Sequence, residues 1–461
     1  MAGFPNYMSV KHFKDIVRCR FPLVFSRALK AATMASFPCV HHIEVGAIDG
    51  PETVNLLTSK FAFKVTALRQ TEVANQWLVV KNKIRFLVTS LKTPDVAAIR
   101  DDSYVINWTS YLQSNTESPI LPIRDSVFNV AFQVKNIDSC VQRLRNHGVS
   151  FIKDLHTVHD NEGFIRTCVI KSYVGDVHHT LIENKSYSGV FLPGFTPVRD
   201  DIETCVDVHS ETMLDCIDHV ALAVETNTTM SIIDWYEKCL GMKRFLINRE
   251  EDEDNGLVLA TNDVGLRLRA MEYWKCSEVN LIAPEDENIE SRLSMVIAEG
   301  LPPVPGSSEK NQIESWISQH GGPGIQHVAL VSSNIKVAIK NLRQLGTPFA
   351  NAPPATYYSK MGRLDDIILA GEDVDALRDN GILIDTESDG IHYSNKYIED
   401  FSNRQRYLLQ IFTRPVFRRD PFFLEIIQRT GGATGFGSGN IAALYRSVQA
   451  YIVGEKSLVE N

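Results

Sequence analysis

Apolar residues are spread along this 461-residue chain in short runs, and four of the runs vary a single theme. Ile217-Asp218-His219-Val220-Ala221-Leu222 and Ile325-Gln326-His327-Val328-Ala329-Leu330 are close copies, while Val40-His41-His42-Ile43-Glu44-Val45 and Val127-Phe128-Asn129-Val130-Ala131-Phe132 are weaker ones. Each reads as a buried strand that opens a unit, at a spacing of roughly ninety to a hundred residues, well beyond solenoid periods of about 20–50. A helical stretch follows, clearest from Asn136 to Arg145 and from Ile335 to Leu345, and Gly148, Gly241 and Gly346 stand where a helix exits in a left-handed conformation. Short strands such as Ile84–Val88, His179–Glu183 and Leu408–Phe412 close the units. The pattern predicts an α+β fold of four βαβββ modules paired into two domains.

The punctuated segment Phe191-Leu192-Pro193-Gly194-Phe195-Thr196-Pro197 marks the boundary, giving an N-terminal domain over 37–199 and a C-terminal domain over 212–455. Residues 365–406 carry many acidic and polar side chains and read as an exposed insertion, with Gly381-Ile382-Leu383-Ile384 as the apolar stretch that packs.

Composition narrows the function classes. A net charge of −9 argues against nucleic acid, since phosphate binding needs clustered Lys and Arg. No apolar run reaches the roughly 20 residues of a membrane-spanning helix. Eight cysteines without a Cys-x-x-Cys pair suggest core thiols in a reducing compartment. Residues 1–36 are a local exception to the acidic balance. Lys11, Lys14, Arg18, Arg20, Arg27 and Lys30 face the single acid Asp15 among interleaved apolar residues, the make-up of a mitochondrial transit segment.

The candidate chemistry comes from the repeat. His219 and His327 occupy equivalent positions, and Phe422-Phe423-Leu424-Glu425-Ile426-Ile427 places one acid in an equally apolar strand. Burying a carboxylate is costly unless it is paired or binds a metal. Two histidines and one carboxylate on one face hold a divalent metal with neighbouring positions open, as non-haem Fe(II) oxygenases require, although Mn(II), Ni(II) and Zn(II) accept similar donors. The corresponding N-terminal positions read as His42, Asn129 and Glu183, and Asn129 breaks the set, so that half keeps the fold without the metal. Alternation along the strand puts His41 on the face opposite His42.

These segments, together with Gly322–Leu330, Phe191–Phe195, Leu409–Thr413, Phe423–Arg429 and Gly435–Asn440, resemble the 4-hydroxyphenylpyruvate dioxygenase and 4-hydroxymandelate synthase family of the vicinal oxygen chelate superfamily, over nearly everything from His41 to Ala450. Within it, Gly431–Ile441 and Gly265–Leu268 are more similar to a mitochondrial animal branch than to homogentisate formers. The resemblance implies an Fe(II) enzyme with His219, His327 and Glu425 as metal ligands, acting on 4-hydroxyphenylpyruvate and O2. It also implies Gln312 and Gln410 near the keto acid, Phe412, Phe436 and Asn440 lining the substrate, and Ile441 where homogentisate formers carry phenylalanine. By the same resemblance, a smaller residue there implies 4-hydroxymandelate as the product, feeding the ubiquinone head group. Homogentisate formation and a non-catalytic mitochondrial scaffold are the rival expectations, and the likeness is compatible with a homodimer. The run Leu266-Arg267-Leu268-Arg269 and the segment Val296–Gly300 depart from the homogentisate formers, which bears on the substrate more than on the metal.

Overall fold

The computed structural model describes residues 39–106, 108, 125–198, 213–245, 247, 251–252, 254–260, 265–272, 294–301, 311–360, 362–387 and 405–440. The basic segment 1–36 and Ile441 lie outside these residues, as do positions 388–404 of the expected insertion.

Each of the four units is built on the βαβββ plan. The first comprises β1 (Cys39–Gly46), α1 (Gly50–Phe61), β2 (Lys64–Gln70), β3 (Ala74–Lys81) and β4 (Ile84–Leu91), followed by the short α2 (Val96–Asp101). The second comprises β5 (Ser126–Gln133), α3 (Ile137–Asn146), β6 (Phe151–Asp160), β7 (Gly163–Lys171) and β8 (His178–Glu183), with β9 (Thr196–Pro197) beyond it. In the third, β10 (Leu214–Val224) and α4 (Thr229–Leu240) lead to a second strand in two pieces, β11 (Lys243–Phe245) and β12 (Leu257–Ala260), then β13 (Gly265–Glu272) and β14 (Ser294–Gly300). After α5 (Gln312–His320), the fourth contains β15 (Gly324–Ser332), α6 (Ile335–Gln344), α7 (Leu364–Leu369), α8 (Val374–Asn380), β16 (Leu383–Glu387), β17 (Arg406–Phe412) and β18 (Phe423–Thr430).

Two nine-stranded sheets result, in the orders β6-β7-β8-β5-β1-β4-β3-β2-β9 and β11-β13-β14-β10-β15-β18-β17-β16, with β12 beside β13. In both, the opening strand of a unit runs parallel to the last strand of its own unit and antiparallel to the opening strand of its sister. The repeat extends to helix capping. Asn136 and Asn334 accept from Ser139 N and Val337 N, at 3.1 and 3.2 Å, at the starts of α3 and α6. Gly148, Gly241 and Gly346 all have positive φ, as helix exits require. Among the described residues no helix is long and apolar enough to cross a membrane.

The expected exposed insertion is only partly exposed. Residues 365–387 supply most of α7, all of α8 and β16, which is the fourth unit's own second strand, and Ile367, Leu377, Ile382, Leu383 and Ile384 are buried. The acids that suggested a loop cap and flank these elements, as Asp373 does by accepting from Asp375 N and Ala376 N.

The two halves share a core, and a buried ionic cluster joins them. His320, at the end of α5, meets Asp420 Oδ2 through Nδ1 at 2.7 Å and Asp176 Oδ1 of the N-terminal half through Nε2 at 3.4 Å, with all three side chains within 1% of full burial. Burial alone lowers the His320 pKa, but hydrogen bonds and charge from Asp176 and Asp420 raise it to about 9. The stability this group contributes is therefore full below its ordinary 6.5 and lost as pH rises through about 9. His320→Gln is expected to destabilise the chain at pH 6 by about 3–5 kcal/mol, because it leaves two buried carboxylates without their cation. Urea unfolding at pH 6 and pH 9.5 should show a smaller loss on alkalinisation in the variant than in the unaltered chain.

Candidate metal centre

Strand pairing converges the three predicted donors. In the ladder β10-β15-β18, His219 stands opposite Ala329, His327 opposite Ala221, and Glu425 beside Ala329, so one concave face carries all three side chains. The two Nε2 atoms are 3.3 Å apart, and each lies 3.3 Å from Glu425 Oε2. Donors at roughly 2.1 Å from one metal and at right angles to each other are about 3 Å apart, so this spacing fits one divalent ion. Glu425 Oε1 is buried without a hydrogen-bond partner, an atom that a cation would satisfy. Among the described residues no other group of three or more His, Cys, Asp or Glu side chains converges in this way.

A bulge orients each histidine. Pairing of β10 with β15 skips Asp218 on one strand and Gln326 on the other, immediately before His219 and His327. A bulged residue is re-aimed relative to the regular pleat. Asp218 Oδ1 thus reaches His219 Nδ1 at 2.7 Å and Gln326 Oε1 reaches His327 Nδ1 at 3.2 Å, leaving both Nε2 atoms directed inward. Such outer partners fix the tautomer and ring orientation of a ligating histidine. Burial raises the Glu425 pKa, but hydrogen bonds and charge from His219 and His327 outweigh it and hold the carboxyl below its ordinary range.

The other predicted residues divide. Phe436 meets His219 edge-on, with ring centroids 4.9 Å apart, and Phe412 sits opposite Glu425 in the ladder. Gln410 is buried with Oε1 unpaired. Asn440 is buried with Nδ2 unpaired, while its Oδ1 accepts from Tyr357 Oη at 2.6 Å. Gln312 does not join them. It is exposed at the start of α5, whose buried face presents Ile313, Trp316 and His320 at helical spacing.

Residues 216–375 match the family described as the Glyoxalase/Bleomycin resistance protein/Dioxygenase superfamily. The chain is 32% identical over 326 residues to the 4-hydroxyphenylpyruvate dioxygenase-like protein of Mus musculus, covering 70% of this chain and 77% of that one. The chain belongs to the 4-hydroxyphenylpyruvate dioxygenase family. The 4-hydroxyphenylpyruvate dioxygenase of Xenopus tropicalis is 28% identical over 420 residues, covering 90% and 91% of the two chains. A mutant of 4-hydroxymandelate synthase from Streptomyces coelicolor shares the fold, with a TM-score of 0.63 at 21% identity over 90% of this chain and 99% of that one. The α+β architecture of paired βαβββ modules expected from the repeat, and the vicinal oxygen chelate fold that the resemblance implied, are therefore the observed ones.

Within this dioxygenase family member, two sequence assignments need correction. The N-terminal counterpart of Glu425 is Thr180, not Glu183: Ala131 pairs with Thr180 as Ala329 pairs with Glu425. Glu183 corresponds to Gln428, three residues further along, and the two accept from the equivalent helix-starting amides of Ile137 and Ile335 at 3.1 and 2.8 Å. His41 does not turn away from His42 either. It is the bulged residue of β1, and its Nδ1 lies 2.8 Å from His42 Nδ1.

Sequence reasoning missed Asp218, Gln326, Tyr357 and Arg429. A usable signal was present for the first two, a polar residue directly before each histidine in an otherwise apolar run. Arg267 and Arg269, which looked like departures in the substrate region, face away from the donors. Both pair with Glu299, and Arg269 also reaches Thr229 at the start of α4, while Leu266, Leu268 and Ala270 join the apolar lining with Ala221, Trp316 and Phe436.

His219→Ala, His327→Ala and Glu425→Ala are each expected to abolish binding of a divalent ion, measured by calorimetric titration of the metal-free protein with Mn(II). His42→Ala and Thr180→Ala should leave the stoichiometry unchanged.

Proposed function

We propose that this chain is an Fe(II)-dependent dioxygenase that converts 4-hydroxyphenylpyruvate and O2 to 4-hydroxymandelate and CO2. The observation that carries the reading is the convergence of His219, His327 and Glu425 on one buried concave face, with Glu425 Oε1 unsatisfied. Fe(II) held there supplies O2 activation and the oxidative decarboxylation of an α-keto acid.

The protein's own part is orientation and exclusion of water. Asp218 and Gln326 hold the imidazoles so that Nε2 of each faces the reacting groups. Gln410 Oε1 offers an unpaired acceptor and Asn440 Nδ2 an unpaired donor for the polar atoms of the substrate. Tyr357 fixes the latter by engaging the other end of the Asn440 amide. Phe412, Phe423 and Phe436 provide aromatic surface around the donors, and Ile313 and Trp316 of α5 pack on the adjoining apolar region. The surroundings suit an aromatic ring bearing a keto-acid head.

The product assignment rests on Ile441, where the resemblance places phenylalanine in homogentisate formers. The smaller side chain would let the ring swing so that the benzylic carbon is hydroxylated. The basic, acid-poor residues 1–36 support delivery to mitochondria, where hydroxymandelate would serve as a ubiquinone head-group precursor.

Anaerobic loading with Fe(II), then addition of 4-hydroxyphenylpyruvate and O2, tests the reading by chromatography and mass analysis of products. Hydroxymandelate is expected, and Ile441→Phe should shift a measurable fraction toward homogentisate. Homogentisate from the unaltered chain would overturn the product assignment, and neither product from iron-loaded protein would overturn the reaction.

A further inference from the structure

Arg429, on β18 four residues beyond Glu425, reaches from the donor set to the glycine-rich segment that follows its strand. Nε donates to Asp218 Oδ2 and Nη2 to Asp218 Oδ1, both at 2.7 Å, and that same Oδ1 holds His219 Nδ1 at 2.7 Å. On its other edge Nη1 donates to Gly435 O at 2.6 Å and to Ala433 O at 3.1 Å. The guanidinium also stacks 5.4 Å from the Phe436 ring, which itself meets His219. The segment 431–440 therefore touches His219 by two routes, through Asp218 and through Phe436, and Arg429 participates in both.

The chemistry of the segment explains why such a link matters. Gly431, Gly432 and Gly437 adopt positive φ, and a glycine-rich segment loses more conformational entropy on ordering than others do. Its backbone is pinned from the opposite side by Glu387, which accepts from Thr434 N and Gly435 N at 2.5 and 2.6 Å. Asn440 lies at its far end, with an unpaired Nδ2. Among the described residues, Arg429 is the one side chain that binds both this backbone and the partner of a metal-facing histidine. A guanidinium fork makes these contacts in one fixed plane, which a lysine ammonium cannot reproduce.

We propose that Arg429 is a positioning residue that couples the orientation of His219 to the ordering of residues 431–440, so that a divalent metal at His219 orders this segment and the ordered segment tightens metal binding. The coupling rests on the metal reading above. It is reciprocal, as any equilibrium linkage between two sites must be.

Hydrogen exchange read by mass spectrometry on the full chain, with and without anaerobic Fe(II) and without substrate, tests the coupling. In the unaltered chain Fe(II) is expected to slow exchange of the amides in 431–440 by about tenfold or more. Arg429→Lys, which keeps the charge and loses the fork, should bind Fe(II) about tenfold more weakly and lose the Fe(II)-dependent slowing. A merely structural role would speed exchange in the variant at all Fe(II) concentrations and leave the increment due to Fe(II) intact, which overturns the proposal. Insensitivity of these amides to Fe(II) in the unaltered chain overturns it without recourse to any variant. Failure of the unaltered chain to bind Fe(II) at all would instead overturn the proposed function, and the coupling with it.

Discussion

The site depends on the antiparallel pairing of β10 with β15 about a local twofold centred on Val220 and Val328. That pairing brings equivalent residues of two units face to face, and the alanines opposite each imidazole leave the rings room to approach. A side chain with even one more branch at Ala221 or Ala329 would occupy the space between the donors. The bulges at Asp218 and Gln326 complete the arrangement, because each turns a polar residue toward the Nδ1 of its own neighbour. The third donor follows from the parallel register of β18 on β15, which sets Glu425 beside Ala329.

The N-terminal half has the same pairing and a bulge in the same place on both strands, at His41 and Phe128, yet its interior is closed. Glu44 occupies the position of Ala221, and its carboxylate fills the space where donors would meet. It accepts from Asn129 Nδ2 at 2.8 Å and from Thr89 Oγ1 at 2.7 Å, and Asn129 also binds Thr180. Burial pushes Glu44 up to about 7 against the opposing pull of those hydrogen bonds. Here Glu44, Thr89, Asn129 and Thr180 satisfy one another, whereas at the equivalent face of the C-terminal half Glu425 and Gln410, and Asn440 beyond it, each retain a buried atom without a partner. Complete satisfaction suits a structural interior, and incomplete satisfaction suits a site that receives a ligand.

The architecture and the histidine pair were legible because both rest on repetition, which a single sequence displays. Glu425 was legible because an acid in Phe-Phe-Leu-Glu-Ile-Ile has no neighbour to pair with. Glu183 misled because an acid in a strand announces itself, while the threonine that occupies the true equivalent position does not. The three-residue offset from Thr180 to Glu183 also changes the face of the strand, which only the register reveals. Gln312 misled because resemblance supplies a position along the chain without the helix phase that sends Ile313 and Trp316 inward. Arg429 was invisible for a different reason: its partners Asp218 and Gly435 are distant from it in sequence or are backbone groups, which no side-chain pattern records.

Charge distribution explains why the donor face favours a cation. Asp218 is neutralised by the bidentate Arg429, so Glu425 contributes the net negative charge beside two imidazoles. Burial alone would lower the His219 pKa, yet hydrogen bonds and charge from Asp218 and Glu425 raise it to about 9. His327, across the same centre, goes the other way, because burial and the charge of His219 outweigh the pull of Glu425. The face thus holds one positive charge readily and resists a second proton. A divalent cation satisfies the same field at a single point, with all three donors in reach and without requiring either imidazole to be charged. Because Asp218 is neutralised from outside by Arg429, Glu425 would be the one anionic donor to such a cation. One carboxylate and two neutral rings would leave a divalent cation with a net positive charge, a field that favours an anionic head group over a neutral one.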